Sequence, residues 1–162
     1  MAEAFGIVAS GISVTSLAIQ IVENLNKVIN FCESIREAPT DIQRILTELH
    51  ILSNIVSNIQ LVHEKRSLPE SSEATTKQCL GLVRDDIRKL SSLSSDLERK
   101  LHSDKRITRT WARVQTVLSE KKIAMLRGQL DSAKGTLQIL QSCYILSVWH
   151  SFTWRKILIK RR

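Results

Sequence analysis

The chain has 162 residues, 43% of them hydrophobic and 25% charged, the balance of one folded domain with room for a core. Two prolines and five glycines supply too few turns for a strand-rich fold, so an all-α chain with few connections is expected. The net charge of +8 is unevenly placed: residues 1–60 carry three basic and six acidic side chains, and residues 61–162 carry twenty-one and ten. That asymmetry directs the back half towards anionic partners.

Residues 4–22, AFGIVASGISVTSLAIQIV, contain no charge. The stretch is about as long as the roughly 20 residues that span a bilayer. Its large apolar side chains are worth ~3–5 kcal/mol on an insertion scale, and the interspersed hydroxyls, glycines and Gln20 erode that gain. Insertion is therefore near break-even, and the resting state expected is a helix buried within a bundle. Gly6, Ser10 and Ser13 allow another helix to approach closely, whether in a bundle or in lipid. The helix is predicted to continue through Leu25, Val28, Ile29 and Phe31 and to break between Ser34 and Pro39.

Thr40 is placed at the head of a second helix, where Thr40-Asp41-Ile42-Gln43 has the form of a capping box. Apolar residues at 42, 45, 49, 52, 56 and 59 then alternate steps of three and four, a continuous packing seam. Leu46, Ile55 and Val62 widen that seam to the stripe a bundle needs. Residues 64–76, EKRSLPESSEATT, lose the period and are predicted to be a loop. A third helix points Leu80, Val83, Ile87, Leu90, Leu93, Leu97 and Leu101 inward. A shorter helix is expected around Ile107, Trp111, Val114 and Leu118. Ser119 caps a last one, with Ile123, Leu126, Leu130, Ala133, Leu137, Leu140 and Tyr144 on its seam.

The architecture expected is thus an all-α bundle of four to five long amphipathic helices, hydrophobic at its N-terminal helix, over residues 1–145. Residues 146–162 form a separate tail rich in aromatic and basic residues, Trp149, Phe152 and Trp154 followed by Arg155, Lys156, Lys160, Arg161 and Arg162. That composition suits a membrane interface or an extra packing helix with a solvated end.

Catalytic patterns are missing. The glycines are too scattered to cradle a phosphate, and neither His-Glu-x-x-His nor Gly-x-Ser-x-Gly occurs. The histidines 50, 63, 102 and 150 are dispersed. Cys32, Cys79 and Cys143 stand far apart, which argues against a disulfide framework and against a zinc site. An enzyme is not expected, and no cofactor or metal is. Without a basic run before the apolar opening, the expected location is cytoplasmic.

The opening MAEAFGIVASGISVTSLAIQIVENLNKV, the REAPTDIQRILTELHILSNIV block, the Trp111–Arg113 stretch and LSEKKIAMLRGQLDSAKGTLQILQ together resemble a known family. It is the fungal N-terminal domain found in front of NLR-like and ankyrin-repeat proteins, related to the N-terminal domain of the azaphilone pigment biosynthesis cluster protein L and to HeLo-like domains. The resemblance covers about residues 1–145, and the residues after Tyr144 depart from it. It implies a helical bundle serving as the effector or signalling end of an NLR-type system. It also implies that the opening segment is released to target membranes in programmed cell death or heterokaryon incompatibility.

The expected membrane or association segment comprises Phe5, Gly6, Ile7, Val8, Gly11, Ile12, Val14, Leu17, Ile19, Ile21 and Val22. The expected basic surface comprises Arg99, Lys100, Lys105, Arg106, Arg109, Arg113, Lys121 and Lys122. Partners follow from these two features: a second copy or another helical domain, and anionic lipids with recruitment to the plasma membrane. The alternative is a helical interaction scaffold without membrane activity. Nucleic-acid binding is disfavoured, because the basic residues come without a recognition helix or stacking aromatics.

Overall fold

The computed structural model describes residues 12–65, 70–102, 114–115 and 119–159. Four long helices account for nearly all of them: α1 (Val14–Glu33), α2 (Thr40–Lys65), α3 (Glu70–His102) and α4 (Glu120–Ile159). Among the described residues there is no strand, and the all-α bundle expected from the sequence is what forms.

The charge-free stretch read as one helix lies partly outside the described residues; within them α1 starts at Val14. Ile12 and Ser13 are not helical; Ser13 is extended, and its hydroxyl accepts the Ser16 backbone N–H at 3.1 Å. A serine in this extended conformation satisfies a free amide of the first turn and so serves as the N-cap of α1. From Val14 onward Leu17, Ala18, Ile21, Leu25, Val28, Ile29 and Phe31 are buried. The far end closes at Ser34, whose N–H donates to the Asn30 and Phe31 carbonyls and whose Oγ donates to the Phe31 carbonyl at 2.6 Å.

The break between α1 and α2 lies where Pro39 predicted it. Glu37 turns the chain in the left-handed region, with φ 58°. The start of α2 differs in detail from a capping box. Pro39 supplies the carbonyl that accepts from Ile42 and Gln43, while the Gln43 side-chain amide donates to the Ala38 carbonyl at 3.0 Å. Thr40 is therefore the first helical residue rather than the cap.

The loop predicted at 64–76 is a correction. Helix α2 runs to Lys65 and α3 starts at Glu70. The polar Ser and Thr residues of this stretch are compatible with helix because they bond to their own backbone, as Thr76 does by donating to the Ser72 carbonyl at 2.7 Å. Thr76 is buried, an inward position that hydropathy alone gives no reason to expect. Ser91 and Ser94 are likewise buried on the α3 seam, Ser94 donating to the Ser91 carbonyl at 2.9 Å.

The shorter helix expected at 107–118 falls largely outside the described residues. Val114 and Gln115 are helical, and Val114 is fully buried. The Ser119 carbonyl takes the first N–H groups of α4, from Lys122 and Ile123, as the sequence suggested. Helix α4 then passes position 145 without a break and reaches Ile159.

Packing follows the seams. Helix α1 lies against both α2 and α3, α3 also lies against α4, and α4 meets α2 along the remaining edge. The core is the set of seam residues: Ile42, Ile45, Leu49, Leu52 and Val56 of α2, Leu80, Val83, Ile87, Leu90 and Leu97 of α3, and Leu130, Ala133, Leu137 and Leu140 of α4. Burying each such side chain is worth ~1.5–3 kcal/mol, so these periodic residues dominate the stability of the bundle.

An apolar groove between α2 and α4

The four edges of the bundle are not equivalent. The α2/α4 edge has the sparsest backbone contact, and side-chain bridges span it at one end. Arg127 of α4 pairs with Asp41 of α2 at 3.0 Å, and Lys134 of α4 donates to Glu48 of α2 at 2.9 Å. Lys134 also pairs with Asp131 on its own helix at 2.7 Å. These hydrogen bonds, first that to Asp131 and then that to Glu48, raise the Lys134 pKa above its ordinary value.

The sequence intervals explain the bridges. In both pairs the α2 and α4 residues are separated by the same number of positions, so the two helices run parallel and in constant register there. Past Glu48 the edge opens into two adjoining hollows. The nearer, about 210 Å³, is lined by Ile51, Leu52, Ile55, Lys134, Leu137 and Gln138 among others. The farther, about 350 Å³, is lined by Ile55, Asn58, Ile59, Val62, Leu137, Leu140 and Gln141. Together they make one apolar groove with amide side chains on its rim.

Large apolar residues stand exposed beside it. Ile51 and Val62 on α2, which line the nearer and the farther hollow, are 52% and 44% accessible. Contiguous apolar exposure of this kind marks an interaction surface more often than a bare monomer surface. It also gives α2 an unusual status. Among the described residues, α2 is the one helix long and apolar enough by length and composition to cross a membrane, with a mean hydropathy of 1.2 and 22% of that window buried.

The residues expected to form a membrane or association segment are split by the fold. Phe5, Gly6, Ile7, Val8 and Gly11 lie outside the described residues. Val14, Leu17 and Ile21 are core side chains of α1, Ile12 and Val22 pack partly against that core, and Ile19 is exposed.

Of the expected basic surface, Lys105, Arg106, Arg109 and Arg113 also lie outside the described residues. Arg99 and Lys100 are exposed near the end of α3, and Lys121 (exposed) and Lys122 (half-buried) stand at the start of α4. Because α3 and α4 pack against each other in opposite directions, these four are brought to one end of the bundle. Arg99 is partnered there by Asp96 on its own helix.

The groove was missed in the sequence because each wall looks ordinary alone. Its signal is Ile51, a large apolar residue out of phase with the α2 seam that lines the nearer hollow. Among the described residues no group of three or more His, Cys, Asp or Glu side chains could hold a metal ion.

No curated protein and no solved structure matches the chain. A family model does match, over residues 15–137, from the second residue of α1 to the α4 leucine that lines both hollows. It is SesA, described as an N-terminal domain on NACHT NTPases and P-loop NTPases, the kind of NLR-like context that the sequence resemblance implied. The chain belongs to the SesA family of N-terminal domains on NACHT and P-loop NTPases.

Proposed function

We propose that this chain is a non-enzymatic signalling domain of a fungal NLR-type NTPase system that acts by pairing helices across the open α2/α4 edge. The observation that carries the reading is the apolar groove lined by Ile51, Ile55, Ile59 and Val62 of α2 and by Leu137 and Leu140 of α4. A helix presenting apolar residues at intervals of three and four has the shape and chemistry to fill it. A second copy or another helical domain is the partner this surface fits; Asn58 and Gln141 give the farther hollow a neutral rim, and in the nearer one Lys134 and Glu48 pair with each other.

Sedimentation over a concentration series tests self-pairing. The expected result is reversible association that weakens at least tenfold in Ile51→Asp and in Val62→Asp. Because both side chains are exposed, folded-state stability is expected to change by only about 0.5 kcal/mol. A protein that stays monomeric at every concentration sinks self-pairing.

A second reading, membrane action in cell death or incompatibility, is favoured by the charge-free residues 4–22 combined with a strongly basic back half. It requires α1 to leave the bundle, since Val14, Leu17 and Ile21 are core residues. Dye-loaded vesicles of anionic lipid test it. Leakage that disappears when residues 1–22 are deleted supports membrane action at the plasma membrane. Absence of both binding and leakage for the full chain removes this reading and leaves helix pairing.

A further inference from the structure

Cys79 and Cys143 are remote in sequence, and the fold brings them level. A core cavity of about 30 Å³ is lined by Leu90, Ser94 and Leu97 from α3 and by Leu126 and Leu130 from α4. This puts the Leu90–Leu97 stretch of α3 level with the Leu126–Leu130 turn of α4 along the antiparallel seam. Both helices rise equally per residue. Similar numbers of steps, back along α3 from the first and forward along α4 from the second, reach Cys79 and Cys143.

Their surroundings differ in a useful way. Cys79 packs against the edge of the core beside the fully buried Leu80, whereas Cys143 is exposed one turn after the buried Leu140. Burial first, and then charge on Cys143, hold the Cys79 thiol above its ordinary value. The third cysteine, Cys32, is set apart on α1, where burial and then the neighbouring Glu33 push its pKa up to about 11.

We propose that Cys79 and Cys143 form a redox site that closes into a reversible disulfide across the α3/α4 seam when a peroxide is supplied. The accessible Cys143 thiolate attacks one peroxide oxygen; the S–O bond forms, the O–O bond breaks and hydroxide leaves. The Cys79 thiol then gives up its proton and attacks the Cys143 sulfenyl sulfur. The S–S bond forms, the S–O bond breaks and a second hydroxide leaves. Two thiols lose two electrons, and the peroxide is reduced to two waters. Since α4 carries one wall of the α2/α4 groove, the closed bond tethers that wall to α3. Formation of the bond does not depend on what the groove binds.

The test is mild hydrogen peroxide treatment of the full chain, followed by alkylation, intact mass measurement and a non-reducing tryptic map. The expected product is a monomer about 2 Da lighter than the reduced chain. It should contain one peptide pair joined through Cys79 and Cys143, have Cys32 alkylatable after denaturation, and revert with dithiothreitol. Cys143→Ser, a change at an exposed position, should abolish the product, and Cys32→Ser should leave it intact. Raising the pH should speed its formation, because the thiolate is the attacking species. The proposal is overturned if Cys79 remains fully alkylatable while Cys143 proceeds to sulfinic acid or joins two chains together.

Discussion

His63 illustrates how the fold sets a side chain's chemistry at the scale of one residue. It stands near the end of α2, where burial first, and the positive Lys77 third, lower its pKa below 6.5, while Glu73 works against them. Lys77 and Glu73 are themselves paired at 2.8 Å on α3. A histidine whose folded pKa is depressed resists protonation in the native state. Its contribution to stability is complete above the unfolded pKa near 6.5 and is lost as pH falls through the folded value. Proton NMR titration should place the His63 midpoint below 6.5, move it down in Glu73→Gln and move it up in Lys77→Gln. A midpoint at or above 6.5 in the unsubstituted protein would show that the imidazole is solvated.

Two isoleucines of α1 separate its role as core from its hydrophobic composition. Ile21 has no accessible surface and Ile19 is 41% accessible, although both lie in the charge-free stretch. Ile21→Ala should cost about 2–5 kcal/mol in chemical denaturation, from lost transfer energy and the cavity left behind. Ile19→Ala should cost well under half of that. Equal costs would mean that the helix is covered on all sides.

At the scale of the element, the periodic seams of α2, α3 and α4 were legible because every third or fourth residue is apolar; the fold buries most of the middle of each seam, leaves Ile59, Leu101 and Ile123 half-buried towards the ends, and exposes Val62. What could not be read was local hydrogen bonding. The Ser13 cap starts α1 inside an apolar run, and the back-bonded Thr76 belongs to a helix where composition suggested a loop. In both cases a hydroxyl, not a side chain's hydropathy, decides. The candidate groove lies beyond sequence reading for a different reason. Ile51 and Leu137 line one hollow only when α2 and α4 are set side by side in register, which is a tertiary fact. The pairing of Lys134 with Glu48 that fixes this register is partly exposed and contributes roughly 0–1 kcal/mol. It selects an alignment more than it holds the helices together.

For the molecule as a whole, SesA membership gives an N-terminal domain on NACHT and P-loop NTPases, and the described residues form a helical bundle with unequal edges. Three of its edges are closed by continuous packing and the fourth is not. Thermal fluctuation should therefore be directional, with α2 and α4 parting while α1 stays clasped between α2 and α3. Native-state hydrogen exchange should find the most protected amides near Ile21 and Leu25 and near Ile87, and earlier exchange in α4 beyond Leu140 and in α2 beyond Val56. Uniform protection across all four helices would mean that the bundle opens as a single unit, with no preferred side from which it unzips.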